Sequence, residues 1–169
     1  MRRSLSFGAV VPALVLLATM LLATGAAKAD NWLTYQNDRY GTTIDYPDLF
    51  KMQRPPDSDD GREFKSADGA DFTVSASYFA LNFTIAKYRD FIVKNLDRGS
   101  AITYETRGKD WFVISGTVGD KSFYEKHRLS HGMNEDFVMS YPASAKQTYD
   151  LIVARMAKSL RPGTGFQSP

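Results

Sequence analysis

The run Trp111-Phe112-Val113-Ile114-Ser115-Gly116-Thr117-Val118 is the most β-favouring stretch of the chain and is apolar at both alternating sets of positions. Successive side chains of a strand point to opposite faces, so a strand built from this run has to be covered above and below. The remaining sequence must therefore supply strands beside it and layers on both of its faces.

The neighbours are legible on either side. Ile102 to Arg107, Trp111 to Val118, Ser122 to Ser130 and Asp136 to Tyr141 are separated by turn signals at Gly108-Lys109-Asp110, Gly119-Asp120 and Gly132-Met133-Asn134. Such short connections predict an antiparallel meander. Ser122-x-x-Glu125 also has the form of a helix start, but Phe123-Tyr124 is β-favouring and the run lies between two hairpin turns, so strand is the better reading. Upstream, Trp32 to Gln36 and Tyr40 to Tyr46 form one expected hairpin that Pro47 ends. Lys51 to Gln53 is a brief extended piece. Arg62 to Ser66 and Phe72 to Phe79 form a second hairpin through Asp68-Gly69, and Pro55 to Gly61 is a surface loop.

Two segments switch to helical spacing. Ile85, Tyr88, Ile92 and Leu96 share one stripe, with Thr84 placed to cap the start and Gly99 just past the end. Tyr149, Ile152, Val153, Met156 and Leu160 make a second stripe, opened by Ser144-x-x-Gln147 as a capping box and closed by Pro162-Gly163. The expected fold is α+β: an antiparallel sheet of about seven or eight strands with two helices packed on it, one on each face, as an α/β/α sandwich.

The N-terminus is different in kind. A basic Met1-Arg2-Arg3, an apolar run from Phe7 to Leu22 and Ala27-Lys28-Ala29 follow the order of a secretory signal peptide. This predicts a signal at 1–29, a single domain over 30–161 and a flexible tail at 162–169, with the mature protein in the periplasm or secreted by the general secretory route. Cleavage removes Arg2, Arg3 and Lys28 but no Asp or Glu, taking the formal net charge from +2 to about −1. A near-neutral chain with scattered signs carries no electrostatic footprint for nucleic acid, and no membrane insertion is expected once the signal is removed. The chain has no cysteine, which excludes disulfides, thiol nucleophiles and thiolate metal sites.

The order of elements resembles the PsbP-like family, named for an extrinsic protein of photosystem II that works in the thylakoid lumen. The resemblance rests on Tyr35-x-Asn37-x-x-Tyr40-Gly41-x-x-Ile44-Asp45-Tyr46-Pro47 as the opening hairpin and Phe64 to Ser77 as the next. A helix with Tyr88 and Phe91, the meander and a closing helix ending in Ser159-Leu160 complete it. Family members with known roles are mostly non-catalytic assembly or binding factors, so the resemblance implies an exported accessory protein. These are marks of a fold, and no site residue is carried over.

The residues themselves offer little chemistry. No G-x-S-x-G, H-E-x-x-H, P-loop or G-x-G-x-x-G is present. His127 and His131, the only histidines, would share one face of a helix, but on a strand they stand roughly 13 Å apart. Across the turn, His131 can approach Glu135 or Asp136, which makes His127, His131 and Asp136 the candidate zinc or copper ligands. Asp57-Ser58-Asp59-Asp60-Gly61 lacks the glycine position and the twelfth-place glutamate of a calcium loop. Tyr35, Tyr40, Tyr46, Tyr78, Tyr104 and Tyr141 are candidates for a pocket or interface, against the plainer reading that they fill the core. The function expected is a non-enzymatic binding or accessory module for an unknown protein or small ligand, with no cofactor. The alternatives are an envelope hydrolase using His127 or His131 with Asp136, or a metal-binding protein using the two histidines.

Overall fold

The computed structural model describes residues 31–78 and 83–164. The signal peptide expected at 1–29, Phe79 of the predicted second hairpin and 165–169 of the tail lie outside the described residues. The elements in chain order are β1 (Trp32–Gln36), β2 (Thr43–Pro47), β3 (Lys51–Met52), β4 (Gly61–Lys65), β5 (Asp71–Tyr78), α1 (Ile85–Lys94), β6 (Ala101–Arg107), β7 (Trp111–Val118), β8 (Lys121–Ser130), β9 (Met133–Pro142) and α2 (Lys146–Ser159). Among these, no helix is long and apolar enough to cross a membrane.

Seven strands form one antiparallel sheet in the order β3-β4-β5-β9-β8-β7-β6. The chain leaves β5, passes through α1 to the far edge at β6, and returns by the meander until β9 closes against β5. β7 is thus interior, as its composition predicts, but it lies one strand from the edge and the central position falls to β9. The run Ser122 to Ser130 is strand throughout, within β8. The β8–β9 turn is tighter than expected. His131 and Gly132 both have positive φ, 50° and 74°, which makes a two-residue turn of the type that suits right-twisted hairpins, so β9 starts already at Met133.

β1 and β2 do not join this sheet. They pair with each other alone and lie as a separate hairpin on one face, where Tyr35 and Tyr46 meet the Phe64 ring edge-on and tilted, 5.5 and 4.7 Å between centroids. A short strand has the same composition whichever sheet it joins, so the sequence does not reveal this separation. On the same face α2 buries Tyr149, Ile152, Val153 and Met156 against Phe137 and Met139 of β9. Phe72 sits at the centre of this core, stacked on Phe64 at 4.3 Å and ringed by Tyr46, Phe50 and Phe137. α1 lies on the opposite face, with Tyr88 packed on Phe112, Ile114 and Phe123 and with Ile85, Ile92 and Leu96 around them. The architecture is an α/β/α sandwich with the small hairpin beside α2.

The helix ends divide. Thr84 caps α1 by accepting from the Lys87 amide at 3.3 Å, as expected. Ser144 does not cap α2: it lies in a single 3-10 turn, Ala143–Ala145, which moves the capping position on to Ala145. Past α2, Arg161 exchanges backbone hydrogen bonds with Thr43, and Gly163 is buried against the β1–β2 connection. A Cβ on Gly163 would stand 1.7 Å from the Tyr40 carbonyl oxygen, so only glycine fits there. The predicted flexible tail is therefore held through its first two residues.

Candidate functional site: a groove beside α2 and a closed histidine network beneath α1

Strand register places the candidate metal residues. In the β8–β9 hairpin His127 faces Asp136 directly, and Glu125, two residues before His127, points to the same side. The His127 ring is 2% exposed, its Nδ1 2.8 Å from Asp136 and its Nε2 2.8 Å from Glu125. Two carboxylate partners require both ring nitrogens to donate, so the ring is an imidazolium. Phe112 stacks on it at 4.7 Å, and Tyr88 from α1 closes it from above. The Tyr88 hydroxyl donates to the Asp136 carboxylate, 2.8 and 2.9 Å from its two oxygens. Asn134 Nδ2 donates to the same carboxylate at 2.7 Å, and Ser77 bonds Asn134 in turn. His131 stands apart, exposed at the hairpin turn. Two of the three candidate ligands are thus brought together and the third is not. Among the described residues no group of three or more His, Asp or Glu is arranged to hold a metal ion. Glu125 and Tyr88 were not among the candidates, although Glu125-x-His127 on a strand is a legible signal.

Burial works against a charge on His127, but the hydrogen bonds and negative charges of Asp136 and Glu125 outweigh it and lift its pKa from 6.5 to about 9. The Tyr88 hydroxyl is pushed well above the usual phenol range, by burial first and then by the Asp136 charge beside it. Because the folded-state His127 value exceeds the unfolded one, its contribution to stability is fully present below about pH 6.5 and is lost as pH rises through about 9. That shift corresponds to about 3 kcal/mol. Denaturant unfolding between pH 6 and pH 10 should show this loss in the native sequence, and His127→Gln should flatten the profile. An equally steep profile in the variant would assign the slope to other groups.

A second buried carboxylate lies on the α2 face. Glu135 is fully buried and accepts from the Gly163 amide at 2.8 Å, the Ser130 hydroxyl at 3.0 Å and the Thr42 hydroxyl at 3.3 Å. Burial pushes its pKa up, partly opposed by these bonds. It ties the segment after α2, the β1–β2 connection and the β8–β9 hairpin into one closed point.

The open site is elsewhere. α2 lies over β9 and reaches β8, so the same face of β7 and edge strand β6 extends beyond it and leaves, with β8, a groove of about 570 Å³. Small residues keep it open: Ala154 and Ala157 on the helix side, Ser115 and Thr117 on the sheet side. Gly116 is required where β6 bulges between Ile102 and Tyr104, since a Cβ there would lie 1.9 Å from the Ala101 carbonyl oxygen. Val113 and Val153 supply aliphatic floor, and Tyr104, Trp111, Tyr124 and Tyr141 supply ring surface. Of the six candidate tyrosines only Tyr104 and Tyr141 reach this groove; Tyr35, Tyr40 and Tyr46 are core, and Tyr78 is exposed and lies edge-on to Tyr40.

The polar groups of the groove are few. Asp150 accepts from Lys146 at 2.6 Å and from the Tyr141 hydroxyl at 2.9 Å. Lys126 Nζ donates to the Ala157 carbonyl in the last turn of α2, one of the helix-end acceptors that lack an intrahelical donor. Burial, and then the nearby Arg128 and Arg161, hold the Lys126 pKa below the usual lysine range. Burial pushes Tyr124 up to about 12. The Ser122 hydroxyl is buried and has no hydrogen-bond partner among the described residues.

No protein-family profile matches the chain, and no curated protein matches it in sequence. In structure it is similar to cyanobacterial PsbP (CyanoP) from Synechocystis sp. PCC 6803, whose solution structure aligns with a TM-score of 0.59 at 15% identity, over 84% of this chain and 98% of that one. With the seven-stranded antiparallel sheet, the accessory hairpin and a helix on each face, this establishes that the chain has a PsbP-like fold.

Proposed function

We propose that the protein is an exported, non-enzymatic binding module that holds a small ligand in the groove between α2 and β6, β7 and β8. Export rests on the signal-peptide pattern of the first 29 residues, which favours the periplasm or the exterior. The observation that carries the binding reading is the groove itself. Its volume falls within the roughly 300–1,000 Å³ of small-molecule sites, and it joins an apolar floor to a few polar groups. The closed network under α1 favours a non-catalytic role: both nitrogens of His127 are engaged by carboxylates, and Tyr88 and Phe112 pack against its buried ring. Metal binding by His127, His131 and Asp136 would need His127 to surrender a carboxylate hydrogen bond and His131 to leave its turn. Calorimetric titration with zinc and copper addresses that alternative.

The test is to screen the purified mature protein against a metabolite panel by thermal shift and to repeat each hit with Ala154→Trp. Ala154 is exposed on α2 and borders the groove, so an indole there fills the site without entering the core. Hits are expected to weaken at least tenfold in the variant. Hits untouched by the indole, or none at all, would remove the groove as the binding site.

A further inference from the structure

We infer that the groove selects a small amphipathic carboxylate, an apolar or aromatic body carrying one anionic head. This rests on the groove being the ligand site. Three observations lead to it.

The first is charge. Lys126, Lys146 and Lys158 border the groove against a single carboxylate, Asp150, and that carboxylate is engaged by Lys146 and by the Tyr141 hydroxyl. Lys126 and Lys158 form no ion pair with a described residue. Lys126 also feels Arg128 and Arg161, which disfavour its charge, more strongly than Asp110, which favours it. A half-buried ammonium in a cationic neighbourhood is relieved by an incoming anion, and a site with spare positive charge rejects a second cation. The head group therefore belongs near Lys126 and Lys158.

The second is the Ser122 hydroxyl. A buried donor without a partner costs the folded state about 1–3 kcal/mol, and in native structures such a group calls for a water or a ligand atom. Ser122 borders the groove four residues along β8 from Lys126, roughly 13 Å away, so it lies at the end of the groove opposite the anionic head and can serve a water or a second polar atom there. The third is the rest of the lining. Val113, Val153, Ala154 and Ala157 offer aliphatic surface, and the rings of Tyr104, Trp111 and Tyr124 offer flat walls that suit an apolar body better than a polyol.

Dodecanoate and dodecanol, used below their aggregation limits, make the test, because they share a chain and differ in the head. Binding is read by calorimetry on the native sequence, Lys158→Met and Ala154→Trp. Lys158 is the variant of choice because it is exposed, whereas Lys126 also secures the end of α2. Dodecanoate is expected to bind at least tenfold more tightly than dodecanol. Lys158→Met should weaken dodecanoate about 3- to 10-fold and leave dodecanol unchanged, and added salt should weaken dodecanoate alone. Ala154→Trp should abolish both. Equal affinity for acid and alcohol, with both lost in Ala154→Trp, would overturn the carboxylate assignment and leave the groove standing. Binding of either that survives Ala154→Trp would overturn the groove as well.

Discussion

Asp136→Ala is expected to destabilise the protein by about 3–5 kcal/mol, the range found when one partner of a buried ion pair is removed. Asp136 accepts from three donors on three elements: the His127 imidazolium on β8, the Tyr88 hydroxyl on α1 and the Asn134 amide on β9. Truncation leaves His127 Nδ1 and the Tyr88 hydroxyl unpaired in a buried place, since Phe112 covers one side of the imidazole and the remaining Glu125 bond serves only Nε2. The loss is a large share of a total stability of about 5–15 kcal/mol. Chemical denaturation measures it directly, and hydrogen exchange should show α1 opening ahead of the rest because its polar tie to the sheet is gone. The loss should also shrink above about pH 9, where His127 is neutral in the native protein. A loss below 1 kcal/mol near pH 7, or one of equal size at pH 10, would show that the network does not hold α1 down.

Phe72→Ala is expected to cost a comparable 3–5 kcal/mol by a different route. Phe72 is fully buried in β5 and touches Phe64, Tyr46, Phe50 and Phe137, so it joins the sheet, the β1–β2 hairpin and the turn before β3. Removing the ring takes away transfer free energy and leaves a cavity that stiff aromatic neighbours fill poorly. The Phe72 ring carries no charge, and burial holds its titratable neighbour, the Tyr46 hydroxyl, above the usual phenol range, so the loss should be nearly the same at pH 6 and pH 10. That contrast separates packing from charge in one pair of variants. A change of under 1.5 kcal/mol would mean that the surrounding rings collapse into the space.

Periodicity made much of the frame legible. The stripe Tyr149, Ile152, Val153, Met156 and Leu160 is buried as a set, Thr84 caps α1, and the four strands of the meander follow one another as their turn signals require. Half of the histidine network was also within reach. Once His131-Gly132 is read as the two-residue turn, register puts His127 opposite Asp136, and strand alternation puts Glu125 beside His127. The error lay in reading the turn at Gly132-Met133-Asn134, three residues that hide the pairing.

The rest depends on how layers are offset, which local pattern does not encode. Nothing near Tyr88 indicates that α1 will bring its hydroxyl onto Asp136, 48 residues away. Glu135 reads as a surface acid until Gly163 and Thr42 converge on it. The groove has no motif at all, because it arises from the sideways placement of α2 and from small residues, and an alanine or serine gives no hint that the space above it is empty. Ser144 failed as a cap for a related reason: one extra tight turn displaced the helix by a single position.

The closure between the opening hairpin and the segment after α2 orders events in time. β1 and β2 precede the rest of the described chain, yet their inner rings rest on β4 and β5, Thr43 exchanges backbone hydrogen bonds with Arg161 beyond α2, and β2 packs under α2. A polypeptide delivered from its front end consequently cannot finish the core on the α2 face until the final helix is out, whereas the core beneath α1 needs only α1, β7 and β8, and loop-closure entropy makes the last join slow. The face that carries the opening hairpin is therefore the last to close, whichever order the other elements follow.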